Sequence, residues 1–352
     1  MLPLSARKQG HSFLEGAHAA LDEHRRLGAE PSGQVDIFDI VEQARIWLMF
    51  QPLKDLYGAY QRVEGGAGII VNAKHPPSLQ RFTAAHEYGH HVLGHDLSLD
   101  DAAHILPDGD DLSARETAAH AFAAHFLMPP RLVDAIWARM LLPDDPDLLT
   151  PRDAYLLSLE LGVSYAALVN HLATLGKISP EAAARLRRRR PLQIKAEIAG
   201  GTRPSHRRAD TWLLTERDNG RVLYPRVNDE VCATLPEIPS TGYVWAVAGP
   251  EAVDLRRSKR QSADAAVLGL VADLYAPSVA GTGSPRYGAG GTRSLVFRVL
   301  QPGRYTLRLV KRRPWLDTPV ADVEVTLAVA GRRTGTSTRG LSERQKPLVA
   351  AA

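Results

Sequence analysis

His86 and His90 stand four residues apart in the run His86-Glu87-Tyr88-Gly89-His90. On an α-helix that spacing puts both imidazoles on one face, about one turn apart, where two ring nitrogens can hold a single metal ion. Glu87 then lies beside that face, where a carboxylate can take a proton from a water on the ion. His-Glu-x-x-His on a helix is the arrangement of zinc peptidases, so the chemistry it points to is metal-assisted hydrolysis. Catalytic zinc usually takes three protein ligands and a water, which leaves the pair one ligand short.

The elements that must position these residues can be read on either side. Pro76-Pro77 precedes the motif helix and Gly94 can end it. A further helix over Ser113–Met128, stopped by Pro129-Pro130, carries Glu116. Ser113-Ala114-Arg115-Glu116 is also a capping-box pattern, in which Glu116 bonds the Ser113 backbone instead of a metal. Upstream, Ser12–Leu27 and the stretch from Asp36, with Ile37, Ile40, Val41 and Ile46, read as amphipathic helices. Leu56–Val63 and Gly68–Asn72 read as paired strands across Glu64-Gly65-Gly66-Ala67. The second of these is expected to offer its edge to an extended peptide. Downstream, Leu132–Leu142, Pro151–Leu161, Ser164–Leu175 and Ser179–Arg188 read as helices.

Arg81-Phe82-Thr83-Ala84-Ala85-His86-Glu87-Tyr88-Gly89-His90, followed by a Glu-bearing helix ending Phe122-Ala123-Ala124-His125-Phe126-Leu127-Met128-Pro129, resembles the ImmA/IrrE family of metallo-endopeptidases. The resemblance implies a Zn2+ ion on His86, His90 and Glu116, with Glu87 as general base. His120 departs from it, because the family usually has Asn there. One turn beyond Glu116, it is expected to orient a ligand, the other reading being a substitute ligand. His91, His95 and His125 fall off the ligand face and read as surface or packing histidines.

Tyr155–Leu172 has a helix-turn-helix rhythm, with Leu161-Gly162-Val163-Ser164 as the turn. Its second helix offers Tyr165, Asn170 and His171 but no Arg or Lys before Lys177, so packing is expected over DNA contact.

After Pro191 the pattern changes. Trp212–Thr215, Val222–Val227, Leu295–Val299, Tyr305–Val310 and Ala321–Val329 bunch β-formers between Gly/Pro turns. Three turns, Pro239-Ser240-Thr241-Gly242 before Tyr243, Gly288-Ala289-Gly290-Gly291, and Arg313-Pro314-Trp315, stand in the order of the inhibitory loops of the chagasin family, which they resemble. That implies an immunoglobulin-like sandwich whose Pro239–Gly242 loop enters a papain-like cysteine protease, flanked by the Gly288–Gly291 and Arg313–Trp315 loops. Ile238 and Ser240 replace the family's Asn and Thr. Cys232 reads as a small core residue.

The fold expected is an α-rich α+β zincin-like metallopeptidase domain (1–190), a basic linker (191–211), an all-β immunoglobulin-like sandwich (212–330) and a disordered basic tail (331–352). The net charge of +4 is unevenly spread: residues 185–208 hold nine Arg/Lys against Glu197, and residues 331–352 five against Glu343. Taking these away leaves the folded parts acidic, so the basic segments read as solvated linker and tail, with nucleic acid as the lesser alternative. No apolar run approaches ~18 residues, which argues against a membrane span. A single cysteine and an N-terminus without signal-peptide order make a reducing cytoplasm the expected compartment. The function expected is a zinc endopeptidase cleaving a regulatory protein such as a transcriptional repressor, with a β domain that inhibits a cysteine protease or binds peptide. The alternative is a non-enzymatic DNA-binding stress regulator with a structural zinc.

Overall fold

The computed structural model describes residues 4–28, 33–100, 113–202, 204, 206, 208–249, 252–256, 266–278, 290–331 and 335–337. The described chain forms two compact units, residues 1–188 with 333–352, and residues 189–332.

In the first unit, α1 (Leu4–Leu27) and α2 (Ile37–Gln43) precede three strands, β1 (Trp47–Gln51), β2 (Gly58–Val63) and β3 (Gly66–Asn72). The motif helix α3 (Pro77–Val92), strand β4 (Leu97–Asp100), α4 (Ala114–Leu127) and α5 (Pro130–Arg139) follow. Helices α6 (Pro151–Leu161), α7 (Tyr165–Thr174) and α8 (Pro180–Arg187) complete it. Leu48 and Phe50 on β1, and Ala67, Ile69 and Val71 on β3, alternate along their strands and are buried, as a sheet covered on one face requires.

The sheet runs β14-β1-β3-β2-β4, where β14 is Gly335–Ser337. Two expectations change here. Gly68–Asn72 is no edge: β3 pairs parallel with β1 and antiparallel with β2, so both its ladders are filled. The tail is not wholly irregular either, because Gly335, Thr336 and Ser337 pair antiparallel with Phe50, Met49 and Leu48; residues 338–352 lie outside the described residues. Helices α6 and α7 meet at 98°. Asn170 on α7 takes a fork from Arg187 of α8, Nε at 3.1 Å and Nη2 at 2.9 Å.

The second unit begins with α9 (Pro191–Ile198), where a linker was expected. The basic residues hide its periodicity: Ile194 and Ile198 are buried, one turn apart. Lys195 is buried too, its Nζ donating to Ala209 O at 2.6 Å and facing Asp210 at 3.0 Å. Two sheets follow. One runs β5 (Thr211–Leu214), β7 (Glu230–Glu237), β11 (Gly291–Val299), β10 (Leu268–Pro277) and β9 (Ala252–Asp254). The other runs β6 (Val222–Leu223), β13 (Ala321–Val329), β12 (Gly303–Arg312) and β8 (Val244–Ala248). They bury Trp245, Phe297, Leu309, Val325 and Leu327, and Cys232 is buried with its Sγ donating to Ile198 O at 3.2 Å. Among the described residues no single helix is long and apolar enough to cross a membrane.

Candidate metal centre

Pro77, at the first position of α3, sets the helical φ and has no N–H to leave unsatisfied. The helix then carries His86 and His90 one turn apart, both fully buried, with their Nε2 atoms 3.2 Å from each other. From α4, Glu116 brings Oε2 to 3.1 Å from His86 Nε2 and 3.4 Å from His90 Nε2. Tetrahedral ligands at zinc's usual bond lengths of about 2.0–2.1 Å stand about 3.3 Å apart. The three donor atoms sit at that spacing, and the two-nitrogen, one-oxygen set is one that zinc takes, so the residues fit a divalent metal. Burial by itself would raise the Glu116 carboxyl, but hydrogen bonds from His86 and His90 outweigh it and hold the group well below the usual carboxylate range.

The capping-box reading resolves by atom. Ser113 is the N-cap of α4 and its Oγ accepts from Glu116 N at 3.3 Å. The Glu116 side chain goes elsewhere, to the imidazoles. A close approach at Gly89 lets the two helices bring their ligands together: a Cβ there would stand 3.0–3.1 Å from Phe122 ring atoms on α4.

Glu87 is fully buried beside the pair, under β2. Gly58 is the contact: a Cβ there would lie 2.8 Å from Glu87 Oε1 and 2.4 Å from Thr83 Cγ2. The Thr83 hydroxyl is buried with no hydrogen-bond partner among the described residues. His120 lies outside the trio, its ring 6.3 Å from that of His86 and tilted on Phe82 at 5.0 Å. Its Nδ1 is buried with no partner among the described residues. Burial first, then the charge of His86, lowers its pKa to about 4, so the ring is neutral near pH 7.

His95 does not behave as a surface histidine. Its Nδ1 is 2.7 Å from His90 Nδ1. Sequence spacing misses this contact because the chain leaves the helix through Gly94 before reaching it; Gly94 itself was the available signal. His91 and His125 do pack, His91 Nδ1 on the Tyr60 hydroxyl at 3.0 Å and His125 Nδ1 on Ala121 O at 2.9 Å. On the far side of α3, the Tyr88 hydroxyl donates to Glu23 of α1, whose carboxylate also takes Arg26 Nε at 2.7 Å.

In the second unit, register gathers Pro239–Gly242, Gly290–Gly291 and Arg313–Trp315 at one end. Glu237, closing β7, pairs with Gly291, opening β11, while Val244, opening β8, pairs with Arg312, closing β12. Pro239–Thr241 makes one turn of 3-10 helix, released by Gly242 at φ +77. Arg313 stacks on Tyr243 at 4.7 Å and its Nε donates to Thr241 O at 3.3 Å. Trp315 lies against Gly242, where an added Cβ would meet its ring at 3.0 Å, yet is 69% exposed. Gly290 adjoins Ile238, and Ser240 and Pro314 are exposed; Gly288 lies outside the described residues.

Residues 41–173 match the Peptidase M78 family, described as the IrrE N-terminal-like domain, and residues 225–329 match the chagasin family of I42 peptidase inhibitors. The radiation response metalloprotease IrrE of Deinococcus deserti is 37% identical over 95 residues, 27% of this chain and 33% of that protein. The chain thus spans about a third of the length of that relative. Among solved structures, the cysteine protease inhibitor EhICP2 of Entamoeba histolytica is 22% identical, covering 35% of this chain and 97% of that one, at a TM-score of 0.28. Amebosin is 23% identical, covering 34% of this chain and 98% of its own, at 0.24. PbICP-C, solved in complex with falcipain-2, is 17% identical, covering 35% and 91%, at 0.19. In sequence, then, the chain joins a region similar to the IrrE N-terminal-like domain of Peptidase M78 to one similar to the chagasin family of I42 peptidase inhibitors.

Proposed function

We propose that the first unit is a zinc-dependent endopeptidase. The observation that carries this is the meeting of His86 Nε2, His90 Nε2 and Glu116 Oε2 at tetrahedral spacing, with Glu87 buried beside them. His86, His90 and Glu116 would hold the ion. When bound, zinc supplies Lewis acidity, which polarises a scissile carbonyl and makes water a stronger acid. Glu87, held by β2 at Gly58, accepts the proton of the attacking water and later returns it to the leaving amine. Burial strengthens each of these charge interactions by excluding water. His120 lines the neighbourhood as a neutral ring and orients the ligand shell.

By likeness to the ImmA/IrrE family, the substrate is a regulatory protein such as a transcriptional repressor, and the setting is cytoplasmic. The second unit binds a papain-like cysteine protease through Pro239, Ser240, Thr241 and Gly242, flanked by Gly288–Gly291 and by Arg313, Pro314 and Trp315. The exposed Trp315 indole is the aromatic anchor. Glu87→Gln tests the enzyme reading. The variant is expected to keep one zinc per chain and to lose cleavage of a repressor encoded nearby by at least ~10²-fold. Wild-type cleavage by a zinc-loaded Glu87→Gln protein refutes it in favour of a structural zinc.

A further inference from the structure

His90 offers two nitrogens and only one faces the other ligands. Its Nε2 is 3.2 Å from His86 Nε2, and its Nδ1, on the opposite side of the ring, is 2.7 Å from His95 Nδ1. We infer that His95 is a positioning residue for the metal centre, fixing the tautomer and the orientation of His90. This rests on the reading of His86, His90 and Glu116 as metal ligands.

The contact is built by the end of the helix. Gly94, at φ +76, takes the left-handed conformation that closes α3. Gly94 N then donates to His91 O at 3.2 Å and His95 N to His90 O at 2.9 Å, the paired bonds of a Schellman motif. That closure returns the chain over the last turn and lays the His95 ring beside His90, centroids 4.9 Å apart. Two imidazoles meeting nitrogen to nitrogen need one proton between them. His90 must keep the Nε2 lone pair free to face a metal, so its proton sits on Nδ1 and donates to the Nδ1 lone pair of His95. His95 then carries its own proton on Nε2.

Metal-ligating histidines nearly always anchor their second nitrogen, usually on a carboxylate, a backbone carbonyl or water. Here the anchor is a neutral imidazole, which fixes the ring without adding negative charge to a site that already holds Glu87 and Glu116. His95 cannot itself join the ion, because the nitrogen it touches lies on the far side of His90 from the metal-facing one.

The test uses the full-length protein, zinc alone as probe, and competition with a chelator of known affinity at fixed pH. His95→Phe keeps an aromatic ring but removes the acceptor, and is expected to weaken zinc binding by about 10–100-fold. His95→Asn places an amide oxygen where Nδ1 was, and is expected to bind within about threefold of wild type, the rescue that a general packing role does not give. His95→Ala stands in if the phenylalanine variant lacks a cooperative unfolding transition. Zinc affinity unchanged in the non-accepting variant, while Glu116→Ala loses it, overturns the role of His95 alone. A wild-type chain that takes up no zinc overturns the metal centre and this inference with it.

Discussion

Tyr88 sits between the two histidines of the motif but points away from them. Replacing it with Phe removes one oxygen from a buried network. That hydroxyl donates to Glu23, a carboxylate 5% exposed, which also receives Arg26 Nε at 2.7 Å and Nη2 at 2.6 Å. Burial first, and Glu23 second, push the Tyr88 phenol up, so it stays a donor at any working pH. A hydrogen bond to a charged group contributes about 1.5–3 kcal/mol. Because the Arg26 fork remains, Glu23 is not stranded, and the lower half of that range applies, about 1.5–2.2 kcal/mol. In a unit of this size that lowers Tm by roughly 3–9 °C. Burial raises the Glu23 carboxyl, but the hydrogen bonds from Arg26 and Tyr88 outweigh it, so the group is held below its ordinary 4.5. A depressed carboxylate contributes stability that is complete above that ordinary value and is lost as pH falls below it. The gap between wild type and Tyr88→Phe should therefore be widest near pH 7 and shrink as pH falls below that ordinary value. Urea titration with hydrogen exchange of α1 and α3 amides reads it. Equal stability at pH 7, or a gap that does not change with acid, refutes the network.

Gly58→Ala drives a methyl into Glu87 Oε1 and Thr83 Cγ2. Peptidase turnover is expected to fall by about 10–100-fold, since an ångström of misplacement costs on that order, with zinc content unchanged by metal analysis. Trp315→Ala in the full chain should raise the inhibition constant for papain by at least about tenfold, read by titration of papain activity; an unchanged constant removes the tryptophan from the contact. Deleting 333–352 removes β14, so β1 amides that faced it should exchange about tenfold faster while those of β3 hold, read by mass spectrometry.

What the sequence made legible is what local spacing controls. His86 and His90 are fixed by helical pitch, and Glu116 by a second helix whose start Ser113 marks. The antiparallel pair around Gly65 is equally local. The errors come from pairings made at a distance. Nothing in Gly68–Asn72 says that Trp47–Gln51, with Asp55 and its polar neighbours between, will pair along its other side. Strands β4 and β14 are too short to carry a period. The run Arg187–Arg190 masks the apolar turn of Ile194 and Ile198 by its charge. His95 was lost for a different reason: one left-handed glycine resets the direction of the chain, and pitch arguments stop there.

The four residues of the candidate site pose a charge problem that bears on why they stand together. The Glu87 carboxylate and two imidazoles are fully buried at the meeting of α3 and α4, and the Glu116 carboxylate against them is half-buried. With both rings neutral, as metal binding requires, the group carries a formal charge of −2 on side chains largely withdrawn from water. Burying uncompensated charge is expensive, and a site maintained only for stability would favour apolar residues of similar volume. Protonating one imidazole offsets part of it, by pairing with Glu116 at 3.1 Å. A divalent cation offsets all of it and leaves both rings neutral, while drawing the three donor atoms to the spacing they already have. On this reasoning the metal stabilises the first unit as well as serving chemistry. Stripping zinc with a chelator at pH 7 should lower that unit's Tm, restore on readdition, and have little effect on Glu116→Gln. An identical Tm with and without zinc in the wild type would mean that the site holds no ion in the folded chain.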